Sequence, residues 1–286
     1  GNFHDVLVGG TDSEANTVTI SSSAAVLSSI TVKGGLRCIY NSGGGIVTNC
    51  YATGGNPAVK QNQSGHGIYN NNGKVLDSVI DGCRSSDHFS GIGYYQTGAN
   101  ALGDRLTITN NYANQTFGNW SSENKDFGAP GAAIMGGILR NSIIARNLPK
   151  AMNHMSGWYI STGVYAKNAR VINCTIYGNT SPTTTTSAFA ALTGTGGRFE
   201  NCIIDNNLCG TAVANWGFTS ADFINCATAP VAGLGVGNIN IADAGWSFSS
   251  SERVLKVEDG STLIDAGLNS STVEDVGLVD YYGNPR

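Results

Sequence analysis

The sequence predicts an all-β solenoid: short parallel strands wound into coils that stack along one axis. Three observations carry this. One apolar template recurs along most of the chain, the spacing between its copies varies, and each apolar run is only four to six residues long. Self-similarity at a period of roughly 20–50 residues marks a repeat architecture. Helical solenoids keep a near-constant period and show helix-length apolar stripes, and neither is present. Strands of constant pattern joined by turns of variable length fit better, because loop-closure entropy grows slowly with length.

The clearest copy of the template is Asn168 to Asn179, NARVINCTIYGN. Val171 and Cys174 are both expected to face inward although they are three apart, which breaks the two-residue alternation of a strand. The chain must therefore bend at Ile172-Asn173, and Asn suits a bend because it tolerates the left-handed conformation. Asn179 is read as a second bend. The copies align on Asn49, Asp77, Arg105, Asn141, Asn173, Asn201 and Asn225, with spacings of 28, 28, 36, 32, 28 and 24 residues. Arg105-Leu106 replaces the Asn-Cys pair in the third copy. Either that coil is distorted with Arg105 pointing outward, or the alignment fails there, and the second reading is preferred.

Behind the anchors, Cys50, Ser78, Ser142, Cys174, Cys202 and Cys226 are expected to form one inward column of small residues. Stacked anchor Asn side chains are expected to bond along the axis. A second strand, usually led by Gly, lies between anchors, at Gly67, Gly91, Ala132 and Gly157. A single such strand cannot bury its inner face, and stacking each coil on the next closes the core.

In chain order, residues 1–35 lack the template but hold two alternating runs, Asn16–Ile20 and Ser29–Val32. They are read as an N-terminal cap and first partial coil, since the end units of a solenoid are atypical. Residues 36–230 are the coils, and 231–286 a C-terminal cap or tail. The start at Gly1 suggests a trimmed or mature chain, which leaves room for a removed signal.

The repeated GG-I-Y-N and V-x-N-C-x-I-x-x-N patterns resemble the right-handed parallel β-helix of the pectate-lyase-like superfamily. The tail resembles the closing motif of bacterial surface β-helix proteins of the "choice-of-anchor Q" type, in Ser261–Gly267 (STLIDAG) and Asp280–Arg286 (DYYGNPR). Thr262 stands where that family has Pro. The resemblance implies a right-handed parallel β-helix, a single-stranded solenoid, on a protein secreted or held at the outer surface of a bacterium. It carries no reaction with it.

Composition excludes several classes. Charged residues are 13% and the formal net charge is −4, with no basic run, which argues against a nucleic-acid partner. Apolar residues at 41% argue against disorder. No apolar run approaches the roughly 18 residues of a membrane span. Seven Cys without a C-x-x-C pair disfavour a zinc site, and buried thiol packing is expected in place of disulfides.

Chemistry is expected on the side of the long turns, which follow each anchor. Arg84, Asp87 and His88, in CRSSDH, form the densest group, with His66 in the preceding long turn. A His oriented by a carboxylate is a sensible base, and an Arg would neutralise a uronate carboxylate; chance clustering in a surface turn is the plainer alternative. Gly65-His66-Gly67 matches one element of polygalacturonases, but the companion motifs are absent and a backbone turn is the preferred reading. Trp120, Lys125, Asp126, Lys150 and His154 are candidate substrate-binding residues on the same side, and Trp158 and Trp216 either join them or cap the core. No cofactor is expected. Ca2+ is the one ion considered, through an approach of Asp87 to Asp126, although no EF-hand-like acidic run exists.

The expected function is binding of a polysaccharide or glycan along a groove on the long-turn side, by a monomer. The alternatives are a polysaccharide lyase or glycoside hydrolase acting on a uronic-acid polymer, and a non-catalytic adhesin or stalk.

Overall fold

The computed structural model describes residues 7–10, 15–55, 67–85, 93–113, 130–149, 160–182, 189–217, 220–230, 235–249, 254–264 and 266–267. Three parallel sheets of seven, nine and ten strands run its length, and within each sheet neighbours follow in chain order. That order is what a right-handed parallel β-helix produces: every strand pairs with its equivalents one coil back and one coil on. In one coil the chain passes from the first sheet (Ile160–Lys167) to the second (Arg170–Ile172) and then the third (Thr175–Tyr177). The stack takes in strands at both ends, from Leu7–Gly10, paired with Thr31–Gly34, to Ile239–Asn240. Each template copy is thus a bent pair of strands, and the Gly-led strand supplies the third side.

The bend is made as the side chains require. Asn49, Asp77, Asn141, Asn173, Asn201 and Asn225 all take positive φ of 49–53°. Arg105 does too, at 54°. The preferred reading of a misaligned third copy is therefore wrong. Arg105 sits at the anchor position, and Ser29, at φ 59°, is one further copy that the sequence did not reveal. After each of these Asn or Asp bends, the small residue turns inward and bonds the carbonyl two residues back, as Cys174 Sγ does to Ile172 O at 3.3 Å and Ser142 Oγ to Arg140 O at 2.6 Å.

The third copy also makes sense by volume. Leu106 occupies the small-residue column and Gly103 the column that elsewhere holds Val47, Val75, Leu139 and Val171. A Cβ on Gly103 would lie 2.9 Å from Leu139 Cδ1 and 3.2 Å from Tyr94. Large has been exchanged for small across the core, the kind of swap that cores tolerate. All seven Cys are free and buried, in line with thiol packing.

The strongest axial ladder is not at the anchors. There the amide contacts are scattered: Asn173 reaches Asn141 at 3.3 Å, while Asn49 reaches Ser29. Six residues on, Asn111, Asn147, Asn179 and Asn207, followed by Asn215, are fully buried and bond side chain to side chain at 2.9–3.0 Å. Asn179 is thus a ladder member; the bend beside it is made by Gly178, at φ 63°. The Gly-led strands explain themselves here, because a Cβ at Gly93 would meet Asn111 Nδ2 at 2.5 Å and the Gly131 carbonyl at 2.8 Å.

At the C-terminal end a hairpin of Trp246–Ser249 and Val254–Val257 packs on the outside of the third sheet, where Trp246 meets Tyr177 edge-on at 5.7 Å. Asn225 donates to Ala266 O at 3.0 Å, tying the STLIDAG segment to the bend column. Among the described residues no helix is long and apolar enough to cross a membrane.

Candidate functional site

Two facets of the solenoid flank the long turns. Before each turn, the chain makes a fourth bend-and-strand: Arg84–Ser85, Tyr112–Ala113 and Leu148–Pro149 form a short parallel sheet in which Arg84, Tyr112 and Leu148 stand in register. After each turn comes the first sheet, whose outward column reads Tyr40, Tyr69, Tyr95, Ala133 and Tyr165.

The short sheet borders a cleft of about 430 Å³, lined by Gly82, Arg84, Asn110, Asn111, Tyr112, Arg146 and Leu148. Arg84, Arg146 and Leu148 are exposed and Tyr112 half-buried. Asn111 is committed to the buried ladder, and Asn110 gives its amide to Asp81 at 2.6 Å. No carboxylate is among the lining residues.

On the first sheet the tyrosine rings pack against each other, Tyr40 tilted by 51° to Tyr69 and Tyr69 stacked on Tyr95. Tyr40 and Tyr69 have centroids 4.9 Å apart, and Tyr69 and Tyr95 are 5.1 Å apart and within 16° of parallel. The Arg37 guanidinium lies 4.8 Å from the Tyr40 centroid and 5.3 Å from that of Tyr69, a cation–π contact to both rings. Burial lowers the Arg37 pKa, although both phenols oppose that shift. Burial also raises the Tyr69 and Tyr95 phenol pKa above the ordinary value, so both are hydroxyl donors at neutral pH. Because the ring faces are taken up by neighbouring rings and, at Tyr40 and Tyr69, by Arg37, the ladder offers edges and a row of hydroxyls. Asn71 and Thr97 lie in register beside it, also half-buried.

Of the residues expected to carry chemistry or binding, Arg84 lies among the described residues and is exposed on the cleft. Asp87, His88, His66, Trp120, Lys125, Asp126, Lys150 and His154 lie outside them, as does Trp158. Trp216 is a core cap: it packs beside Phe223 at 5.9 Å and donates Nε1 to Pro230 O at 2.9 Å. Among the described residues no group of three or more His, Cys, Asp or Glu is placed to hold a metal ion. The tyrosine column was not singled out from the sequence, although Tyr69 and Tyr95 recur in the Gly-led strands GIYNN and GIGYY.

Comparison with protein-family models, with curated proteins and with solved structures gives no match.

Proposed function

We propose that this chain binds an extended glycan along its long-turn side, as an exported bacterial surface protein related to the pectate-lyase-like β-helices. The observation that supports the reading is the Tyr40–Tyr69–Tyr95 column. It sets phenol groups at a rung spacing of about 5 Å on the face that follows the long turns. A pyranose chain laid along the axis repeats at a comparable step, so each rung can meet one sugar with the same hydroxyl. Asn71 and Thr97 add amide and hydroxyl groups beside the row. A binding face made of repeated, weak, neutral hydrogen bonds suits a polymer and does not suit a small metabolite in a closed pocket.

Affinity electrophoresis against a panel of neutral and acidic polysaccharides tests this. Tyr69→Phe and Tyr95→Phe keep the ring packing and remove only the hydroxyls, so each should weaken retardation, by about two- to twelvefold for a net loss of roughly 0.5–1.5 kcal/mol. Unchanged retardation in the double Phe variant contradicts the proposed face.

A further inference from the structure

We infer that the cleft between Arg84 and Arg146 takes the oxyanion groups of a polyanionic glycan. This rests on the reading above that the long-turn side is the glycan side, and names the chemistry of the ligand there. Most arginines of the described residues are engaged within the fold. Arg105 holds Asp77 with two bonds of 2.6 and 2.8 Å. Arg140 holds Asp104 at 3.0 Å, and Arg170 and Arg198 share Glu200. Arg37 contacts Asn16 and two tyrosine rings. Arg84 and Arg146 differ: among the described residues neither guanidinium has an ion-pair or hydrogen-bond partner, and both line the same cleft. Tyr112, between them, has no partner for its hydroxyl among the described residues either.

The backbone adds a second, independent reason. Arg146 sits at φ 56°, in a bend column otherwise filled by Gly54, Gly82, Asn110, Gly178 and Asn206. Gly and Asn are the residues that take this conformation readily. An Arg here is at odds with the bend, and such outliers gather where the side chain is used. Arg105, the other Arg at a bend among the described residues, is used inside the fold by Asp77. Among the described residues Arg146 has no equivalent use.

Arg84 and Arg146 lie two rungs apart, about 10 Å along the axis at the usual strand spacing. An extended chain can therefore present one anion to each guanidinium while Tyr112 packs against the sugar between them. Guanidinium forks suit both carboxylates and sulfates. The shared chemistry is an oxyanion repeated along a polymer.

The experiment measures affinity for alginate (carboxylated), heparin (sulfated), dextran (neutral) and free inorganic sulfate. The variants are Arg84→Gln and Arg146→Asn, the latter chosen because Asn suits the left-handed bend. Circular dichroism of each variant establishes that the fold is kept. The expected result is that alginate or heparin binds, that each substitution weakens it about tenfold at low salt, and that the double variant loses it. Which polymer binds tells carboxylate from sulfate. Added salt should weaken the wild type more than the double variant. The inference is overturned if the double variant binds the charged polymers as the wild type does, if neither charged polymer binds, or if free sulfate binds as tightly as the polymer. Dextran binding that survives these substitutions but falls in Tyr69→Phe would uphold the tyrosine face while this inference is judged on the charged polymers alone.

Discussion

Asn179 donates its side-chain amide to Asn207 Oδ1 at 3.0 Å, and the same oxygen accepts the Asn179 backbone N–H at 2.9 Å. Asn147 repeats both bonds onto Asn179. Every member of the ladder thus satisfies groups of its neighbour that water cannot reach. Substituting Asn179 by Ala leaves the backbone and side-chain donors of Asn147 without that acceptor and should cost at least about 2 kcal/mol, since each buried unsatisfied group costs roughly 1–3 kcal/mol. Urea denaturation reads this directly, and a loss below about 1 kcal/mol would mean the ladder is incidental.

The bend residues predict a smaller and differently ordered series. Asn173 at φ 53° is in the left-handed region, where a β-branched residue is strained by roughly 1–2 kcal/mol. Asn173→Gly should be close to neutral and Asn173→Val clearly destabilising, again by urea midpoint. Equal costs for the two would remove the bend as the reason for Asn.

Arg105 gives a test of the axial ion pair. Its contact with Asp77 is partly exposed, with side chains 16% and 44% accessible, so its contribution is discounted for screening to about 1 kcal/mol or less. Arg105→Asn should lose that contribution and recover some of it from the better fit of Asn to the bend. Salt should therefore lower the stability of the wild type more than that of Arg105→Asn, measured as denaturation midpoints at low and high ionic strength.

The thiol column predicts sensitivity to alkali. Burial pushes the Cys202 thiol well above its ordinary value, with Cys174 adding to the shift, and the hydrogen bond with Cys202, then burial, pushes up Cys226. A thiol whose folded pKa exceeds its unfolded value keeps its proton more firmly when folded. The stability it gives is full below the unfolded thiol pKa, about 8.5, and declines as pH rises beyond it towards the folded values. Urea midpoints should fall between pH 8 and 10, and Cys202→Ser with Cys226→Ser should flatten that fall. Ser is already used in this column, at Ser78 and Ser142.

How much of this was legible in the sequence varies with how far a residue's type reflects its surroundings. The bend at Asn173 could be read because Val171 and Cys174 break the strand alternation and Asn suits the conformation. Arg105 could not, because an Arg at that bend makes sense only once Asp77 is known to lie one rung below it. The buried ladder was visible as Asn147, Asn179 and Asn207, each six residues after its anchor, but one residue type serves both bend and ladder, and the bend was assigned to both. For the site, Arg84 was found because it falls in a turn rich in charge. Tyr69 and Tyr95 were passed over, since tyrosine in a strand is ordinary until the register aligns the rings, whereas Tyr112 and Arg146 could be placed on the long-turn side but set apart only once the cleft and the absence of partners among the described residues were seen.

The central claim is that this solenoid reads a polymer along its axis, one rung at a time. Isothermal titration with an oligosaccharide length series, drawn from whichever polysaccharide the electrophoresis selects, tests it most directly. Affinity should rise with each added sugar up to about the three rungs of the Tyr40–Tyr69–Tyr95 column and then level off. A monosaccharide that binds as tightly as the longer oligomers, or an absence of binding at every length, would contradict it.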